Sequence, residues 1–466
     1  MRLTKIICTL GPATASPESI RGLLERGMNV ARINFSHGSR EQHTAMIAAV
    51  QEAGKALGIP VGILLDTKGA EIRTGDRKVP LAVHAGDELV FSPFDMPEEK
   101  RPVVHVNYDG FASDVRNTPR ILVDNGEMVF EVVSVDPKGF VVARANDDGS
   151  IGSRRHINLP GVDIDLPSVT AKDWDDIAFG IDQGMDYVAL SFIRTAKEMA
   201  EVKEFIRNRG SHMLAIAKIE TQLAVDNLDA IIDASDGVMI ARGDLGAEIP
   251  FERIPAIQHF IIERCTALGK PVIVATHMLE SMTQHPMPTR AEVTDVAHAA
   301  MGRTDCTMLS GETAGGKHPF LALEAMDRIL RETESHLSPL DPTGMSVDEH
   351  DARARAAVSM ANALRIPAIA VLTRSGKTAA AVSRLRPLMP ILTAAPADDV
   401  RRRMQILYGV QSVAVEFHTD PEQTVQEAFR AFRAKNLLKS GDRIVLVSDT
   451  KTQSGRIGSV QVRTVD

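Results

Sequence analysis

DGVMIARGDLGAEIP, residues 236–250, begins as an apolar strand over Gly237–Ala241 and breaks abruptly into Arg242-Gly243-Asp244. A second glycine follows at 246, and Asp236 and Glu248 flank the run with further carboxylates. Charges at the end of a buried strand lose hydration unless something fixed pairs with them, such as a metal or an anionic ligand. The plainer reading is a solvated turn holding one arginine–carboxylate pair. The sequence on either side decides between the two.

Working outward, a strand–helix rhythm surrounds this segment. Downstream of Trp174, residues Tyr187–Ile193, Leu214–Ile219, Gly237–Ala241, Pro271–Thr276 and Cys306–Ser310 read as strands. Helical patterns follow at 195–209, 221–234, 253–268, 289–301 and 318–336. Upstream, Lys5–Thr9, Asn29–Phe35 and Val61–Thr67 are strands, separated by helices over Ser16–Arg26 and Arg40–Leu57. The near-continuous apolar run VGILLDT suits a parallel strand buried on both faces. Three units before residue 69 and five after 165 make eight, which predicts a (β/α)8 TIM barrel, with an open doubly wound sheet as the alternative.

Between them the pattern changes. Short alternating runs at Glu88–Phe91, Arg120–Val123, Met128–Val135 and Phe140–Arg144, punctuated by turn residues, predict an inserted small β-barrel lid domain. Ser338–Gly344 reads as a linker, and a C-terminal α/β domain follows with strands near Ala368–Thr373, Met389–Thr393, Val413–Glu416, Arg443–Ser448 and Ser459–Arg463. The expected organisation is barrel over 1–69, lid over 70–164, barrel again over 165–337 and a regulatory domain over 338–466.

Composition narrows the class. The 466 residues are 44% hydrophobic and 24% charged, ordinary for a globular protein. With 53 Lys and Arg against 61 Asp and Glu, net −8, a nucleic-acid or anionic-membrane surface is not expected. Cys8, Cys265 and Cys306 lie in apolar contexts and read as buried, reduced thiols. The first apolar run is too short for a signal or membrane segment, so a cytoplasmic location is expected.

In a barrel, chemistry gathers at the carboxyl ends of the strands. Here those ends carry Arg32, Asn34, Ser36 and His37; Asp66, Thr67 and Lys68, with Glu71 and Arg73 behind; Lys218 and Glu220; Arg242, Gly243 and Asp244; Thr276 and His277; Ser310 and Glu312. A structural reading absorbs any one of these but not six polar ends together. Glu220 and Asp244 fall on adjacent strands, where two carboxylates and open positions suit Mg2+ or Mn2+. Lys218 supplies a point charge, and Arg32 and Arg73 can fork onto phosphate or carboxylate oxygens. Asn34, Ser36, Asp66 and Thr67 form an oxygen-rich cluster suited to a monovalent cation. Gly243 leaves backbone N–H groups accessible to an anion. Positive charge beside a divalent metal points to transfer of an anionic, phosphoryl group.

Two glycine-rich runs compete for phosphate. Gly311–Lys317 fits G-x-x-x-x-G-K, but His318 stands where a P-loop needs Ser or Thr, so these glycines are expected only to shape a loop. Thr373-Arg374-Ser375-Gly376-Lys377-Thr378, between a strand and a helix, reads either as an effector phosphate site or as a capped helix start.

The runs TKIICTLGPAT, GMNVARINFSHG, LLDTKGAEIRTG, NLPGVDIDLP, AIAKIET, SDGVMIARGDLGAEIP, ATHMLESM, PTRAEVTDVA and MLSGETAGGKHP together resemble the pyruvate kinase family. The resemblance covers both barrel segments; the insertion and the C-terminal domain match in layout more than in motif. It implies an enzyme of glycolysis that moves the phosphoryl group of phosphoenolpyruvate to ADP, giving pyruvate and ATP. Glu220 and Asp244 would hold the divalent ion, and Lys218 would stabilise charge on the phosphoryl group and the enolate. Arg32 would bind phosphate; Thr276 with the Gly243 and Asp244 backbone would seat the carboxylate; His37, Arg73 and Asn34 would contact the nucleotide. Asn34, Ser36, Asp66 and Thr67 would bind K+, and Glu71, where K+-independent members carry Lys, marks the chain as K+-dependent. The proton for the enolate would come through Thr276, or by water from Ser310 and Glu312. A homotetramer and a phosphorylated allosteric effector are also implied. Ala70, Asn125 and His277 depart from the family's usual Pro, Asp and Gln, and the tail from Asp449 departs most. A metal-dependent lyase or aldolase acting on a pyruvate enolate is the alternative from another reaction class, and a non-catalytic metabolite sensor the third.

Overall fold

Eight parallel strands, most of them buried at every position, close on one another in the computed structural model, which describes residues 2–97, 101–124, 126–162, 164–340, 348–452 and 455–466. They are β1 (Lys5–Leu10), β2 (Val30–Asn34), β3 (Gly62–Asp66), β4 (Tyr187–Leu190), β5 (Leu214–Ile219), β6 (Gly237–Ala241), β7 (Val272–Ala275) and β8 (Cys306–Leu309). Each pairs with its sequence neighbours and β8 returns to β1, giving the closed barrel expected. The strands read as unbroken apolar runs because one face meets the barrel interior and the other the surrounding helices. Ile7, Val30, Leu64, Tyr187, Ile216, Met239 and Ile273 fill the interior, with Ile406 of the C-terminal domain packed into the same cluster. A larger apolar layer lies between strands and helices.

Helix starts were legible locally. Ser16 caps Pro17–Glu25, its hydroxyl accepting from the Ser19 N–H at 3.2 Å. Ser39 with Gln42, Thr170 with Asp173, Thr195 with Glu198 and Thr289 with Glu292 form reciprocal capping boxes. Arg40–Leu57 spans the predicted residues and ends on Gly58 in the left-handed region.

The insertion is a curled seven-stranded sheet. Its order runs Ile72–Arg73, His156–Asn158, Arg120–Val123, Met128–Val135, Val141–Ala145, Glu88–Ser92, Val103–His105. A bridge between Thr74 and Val106 brings its two edges together, so the sheet curls toward a small barrel around Phe91, Phe111 and Phe130. Only the four longer strands were predicted; the two- and three-residue strands are too short to show a period in sequence. Asn125 lies outside the described residues, as do residues 341–344 of the predicted linker.

The C-terminal domain is a five-stranded sheet, ordered Val410–Ala414, Ile391–Ala395, Ile369–Leu372, Arg443–Thr452, Gly455–Thr464, with only the last strand antiparallel. The strand predicted at Val413–Glu416 begins three residues earlier, because Gly409 turns the chain with φ 73° and accepts a hydrogen bond from Ile391. All three cysteines are buried and free, as expected; burial pushes the Cys265 thiol up to about 12. Among the described residues no helix is long and apolar enough to cross a membrane.

The base of the barrel is clamped to the C-terminal domain by buried polar contacts. Arg386 forks onto Asp305 at 2.8 and 2.5 Å, and Arg402 pairs with Asp186 at 3.0 Å. Lys5 is buried there, its ammonium donating to the carbonyl of Val410. Burial, reinforced by Arg2, lowers the Lys5 pKa to about 7, below its unfolded value of 10.5. The unfolded chain therefore binds the extra proton between those values, and the penalty is full below pH 7 and fades towards 10.5. Lys5→Met is expected to raise stability by a few kcal/mol at pH 6, with the gain shrinking by pH 10. Denaturant midpoints at pH 6, 8 and 10 check this; a gain independent of pH would contradict it.

Candidate active site

The carboxyl ends of the strands bring the predicted charges into one cluster. Lys218, near the end of β5, is buried, with its ammonium 2.8 Å from Glu220 Oε1, 3.2 Å from Asp66 Oδ1 and 2.8 Å from the Ser191 hydroxyl. Burial alone would lower its pKa, but Asp66, then Glu220 and Asp244, outweigh it and keep the ammonium charged. Asp66, at the end of β3, also accepts from Arg32 Nε at 2.6 Å. Burial works to raise the Asp66 carboxyl, yet Arg32 and Lys218 hold it below its ordinary value.

Glu220 is buried, and burial pushes its carboxyl up to about 7, with Lys218 opposing and Asp244 reinforcing the rise. Its Oε2 accepts from the backbone N–H of Phe192 at 2.7 Å. Three carboxylates, Asp66, Glu220 and Asp244, thus face two cations, Lys218 and Arg32. One negative charge is left over in a buried setting, which fits a hard cation better than it fits packing. Ser310 Oγ is buried without a hydrogen-bond partner, and the oxygen-only donor set also fits Mg2+ or Mn2+. Among the described residues no group of three or more His, Cys, Asp or Glu gathers as a ligand set. Two carboxylates would leave such an ion's other positions to substrate oxygens and water.

Asp244 and Gly243 begin the short helix Arg242–Glu248 that follows β6. The Gly243 N–H donates to Thr276 Oγ1 at 2.8 Å, so it is already committed to a side chain, where an accessible N–H was expected. Thr276 has φ 63° and His277 φ 55°. A β-branched residue in the left-handed region costs roughly 1–3 kcal/mol and persists only where its surroundings impose it. Arg242 donates to the carbonyls of Ala275 and Thr276 and pairs with Asp295 at 2.7 Å, so it holds the loops after β6 and β7 together. Asp236 serves the opposite end of β6, accepting from the Ala215 N–H and pairing with Lys203 at 2.7 Å.

The oxygen-rich cluster is close by. Asn34 Oδ1 accepts from the Ser36 N–H at 3.0 Å, and Asn34 and Asp66 are register partners on β2 and β3. Thr67 Oγ1 accepts from the Ser191 N–H at 3.0 Å. His37 is exposed beyond β2. Arg73 stands at the root of the lid, forked onto Glu71 at 2.6 and 2.9 Å. Ser310 donates its backbone N–H to Glu312 at 2.7 Å, and burial raises the Glu312 carboxyl.

Sequence reasoning passed over Thr9, Asp173 and Ser191. Thr9 on β1 accepts from Arg32, Ser191 after β4 joins Lys218 to Thr67, and Asp173 accepts from the N–H groups of Lys68 and Gly69. The strand-end rule would have found Thr9 and Ser191 had it been applied to the first and fourth strands. Gly311–Lys317 is a tight turn: a side chain at Gly316 would meet the Glu312 carbonyl at 2.5 Å. In the C-terminal domain Thr373 accepts from Gly376, Thr378 is buried, Arg374 stacks on Phe417 at 4.6 Å, and Ser375 and Lys377 are exposed.

Comparison with known proteins agrees along the whole chain. The family model for the pyruvate kinase barrel domain matches residues 1–323, and that for the pyruvate kinase alpha/beta domain matches 351–462. The chain is 40% identical to a pyruvate kinase of Bacillus licheniformis, covering 100% of this chain and 81% of that protein. It is 42% identical to the chloroplastic pyruvate kinase isozyme G of Nicotiana tabacum, over 96% of this chain and 80% of the other. A crystal structure of a pyruvate kinase from Cryptosporidium parvum superimposes with a TM-score of 0.92 at 34% identity, covering 100% and 96% of the two chains. With an eight-stranded barrel, a curled lid and an α/β domain in the same order, this chain is a phosphotransferase of the pyruvate kinase family.

Proposed function

We propose that this enzyme transfers the phosphoryl group of phosphoenolpyruvate to ADP in a Mg2+- and K+-dependent reaction, the ATP-forming last step of glycolysis. The observation that carries the reading is the buried Lys218 ammonium, held by Glu220, Asp66 and Ser191 at the carboxyl end of the barrel. The phosphorus–oxygen bond to the enol breaks as a bond to the β-phosphate of ADP forms. Lys218 faces the negative charge on the transferring group and on the enolate left behind. Arg32, steered by Asp66 and Thr9, binds the phosphate. Thr276, with the backbone at Asp244, seats the carboxylate, and His37, Arg73 and Asn34 meet the nucleotide. Glu220 and Asp244 would hold the divalent ion, which supplies charge neutralisation to the phosphoryl oxygens when bound. Thr276, or a water held by Ser310 and Glu312, delivers the proton that converts enolate to pyruvate.

Asn34, Ser36, Asp66 and Thr67 would hold K+, supported by Asp66, a buried carboxylate in register with Asn34 across β2 and β3. Glu71→Lys is expected to place an ammonium near that cluster and to lower the K+ requirement; an unchanged K+ titration of the rate would contradict the assignment. A phosphorylated effector at Thr373–Thr378 finds support in the exposed Ser375 and Lys377. A homotetramer finds support in Phe251 and Met287, large apolar side chains 81% and 75% exposed. ATP formation from phosphoenolpyruvate and ADP, followed in a coupled assay with K+ and Mg2+, tests the reading. No turnover under those conditions would overturn it, and release of pyruvate by carbon–carbon cleavage would favour a lyase.

A further inference from the structure

The lid approaches both metal-binding candidates through one strand, each by way of one intervening residue. His156 and Asn158, two residues apart on the strand His156–Asn158, share a face and are both buried. Asn158 Nδ2 donates to Glu248 Oε1 at 2.9 Å. Glu248 is the last residue of the short helix whose first turn carries Asp244. The His156 ring packs on Phe192, with centroids 5.7 Å apart. Phe192 sits at φ 55°, and its N–H is the donor to Glu220. The lid strand therefore reaches one residue short of each carboxylate: Asn158–Glu248 to the Asp244 helix, and His156–Phe192 to Glu220. Asn158 Oδ1 is buried without a partner, and the amide's contact with Glu248 is made through Nδ2. Phe192, Asn158, His156 and Glu248 all line a narrow cleft between the lid root and the barrel.

We propose that His156 and Asn158 are positioning residues for phosphoryl transfer, setting the spacing of Glu220 and Asp244 according to where the lid stands. This rests on the reading that those two carboxylates hold the divalent ion. Groups that orient metal ligands typically change metal affinity by 10–100-fold when removed. The lid, which carries His156 and Asn158, thereby acts on the ion site without supplying a ligand.

The test uses the full chain with Mn2+ alone as probe, in K+ buffer without substrates, and titrates binding by water-proton relaxation at a temperature where every variant is folded. Asn158→Ala and His156→Ala are each expected to weaken Mn2+ by roughly tenfold. Glu248→Ala approaches the same bond from the barrel side, and its double variant with Asn158→Ala should be no weaker than either single change. His156→Phe keeps a ring against Phe192 and should restore the affinity. Glu220→Gln serves as the control for the metal site. If it abolishes Mn2+ binding while Asn158→Ala, Glu248→Ala and His156→Ala stay within about twofold of the parent, the positioning role is wrong. If Glu220→Gln leaves Mn2+ binding intact, the metal assignment falls and this proposal falls with it.

Discussion

Lys218→Met should lower kcat by about a thousandfold or more while leaving Mn2+ binding intact or slightly tighter. The side chain is buried among Asp66, Glu220 and Asp244, which keep it charged, so it delivers a full positive charge in a site largely shielded from water. Methionine matches the stem but brings no charge to the phosphoryl group or the enolate. The same change removes a cation facing Glu220, which can only favour a divalent ion there. It also leaves Glu220 without its ion pair, and breaking a buried pair can cost about 3–5 kcal/mol, so thermal unfolding must be followed alongside. Turnover near the parent level in a folded variant would show that the charge at Lys218 is not used.

Glu220→Gln should weaken Mn2+ by at least about a hundredfold and lower kcat/KM in step. Glutamine can still accept from the Phe192 N–H, so the local backbone is retained and the change isolates the charge. With it gone, Asp66 and Asp244 face Lys218 and Arg32 as a balanced set, and the negative surplus that suits a dication disappears. Direct Mn2+ titration separates this from Lys218→Met, which acts on rate and spares the ion.

The barrel was legible because its cues are local. A strand buried on both faces is an unbroken apolar run, and a Ser, Thr or Pro at a helix start acts within one turn, as at Ser16-Pro17 and Ser39. The lid was legible only in outline, since Ile72–Arg73 and His156–Asn158 are too short for a period and are defined by their partners. Arg242 braces two loops, and the acid it pairs with could not be read from its own segment, because Asp295 lies 53 positions away. The Gly243 N–H, expected to be accessible, is occupied by Thr276, whose left-handed conformation no sequence pattern announces.

By itself, then, the sequence determined the strand–helix rhythm, the helix caps and the placement of charge at strand ends, all governed by burial and hydrogen bonding within a few residues. Only the tertiary structure decided which charges meet. Lys218 faces Asp66 from two strands away and Ser191 from the next, and Asn158 of the lid reaches Glu248 across 90 residues. Those meetings depend on barrel closure, strand register and the curl of the inserted sheet, which are set by packing summed over the whole chain and leave no mark at any one position.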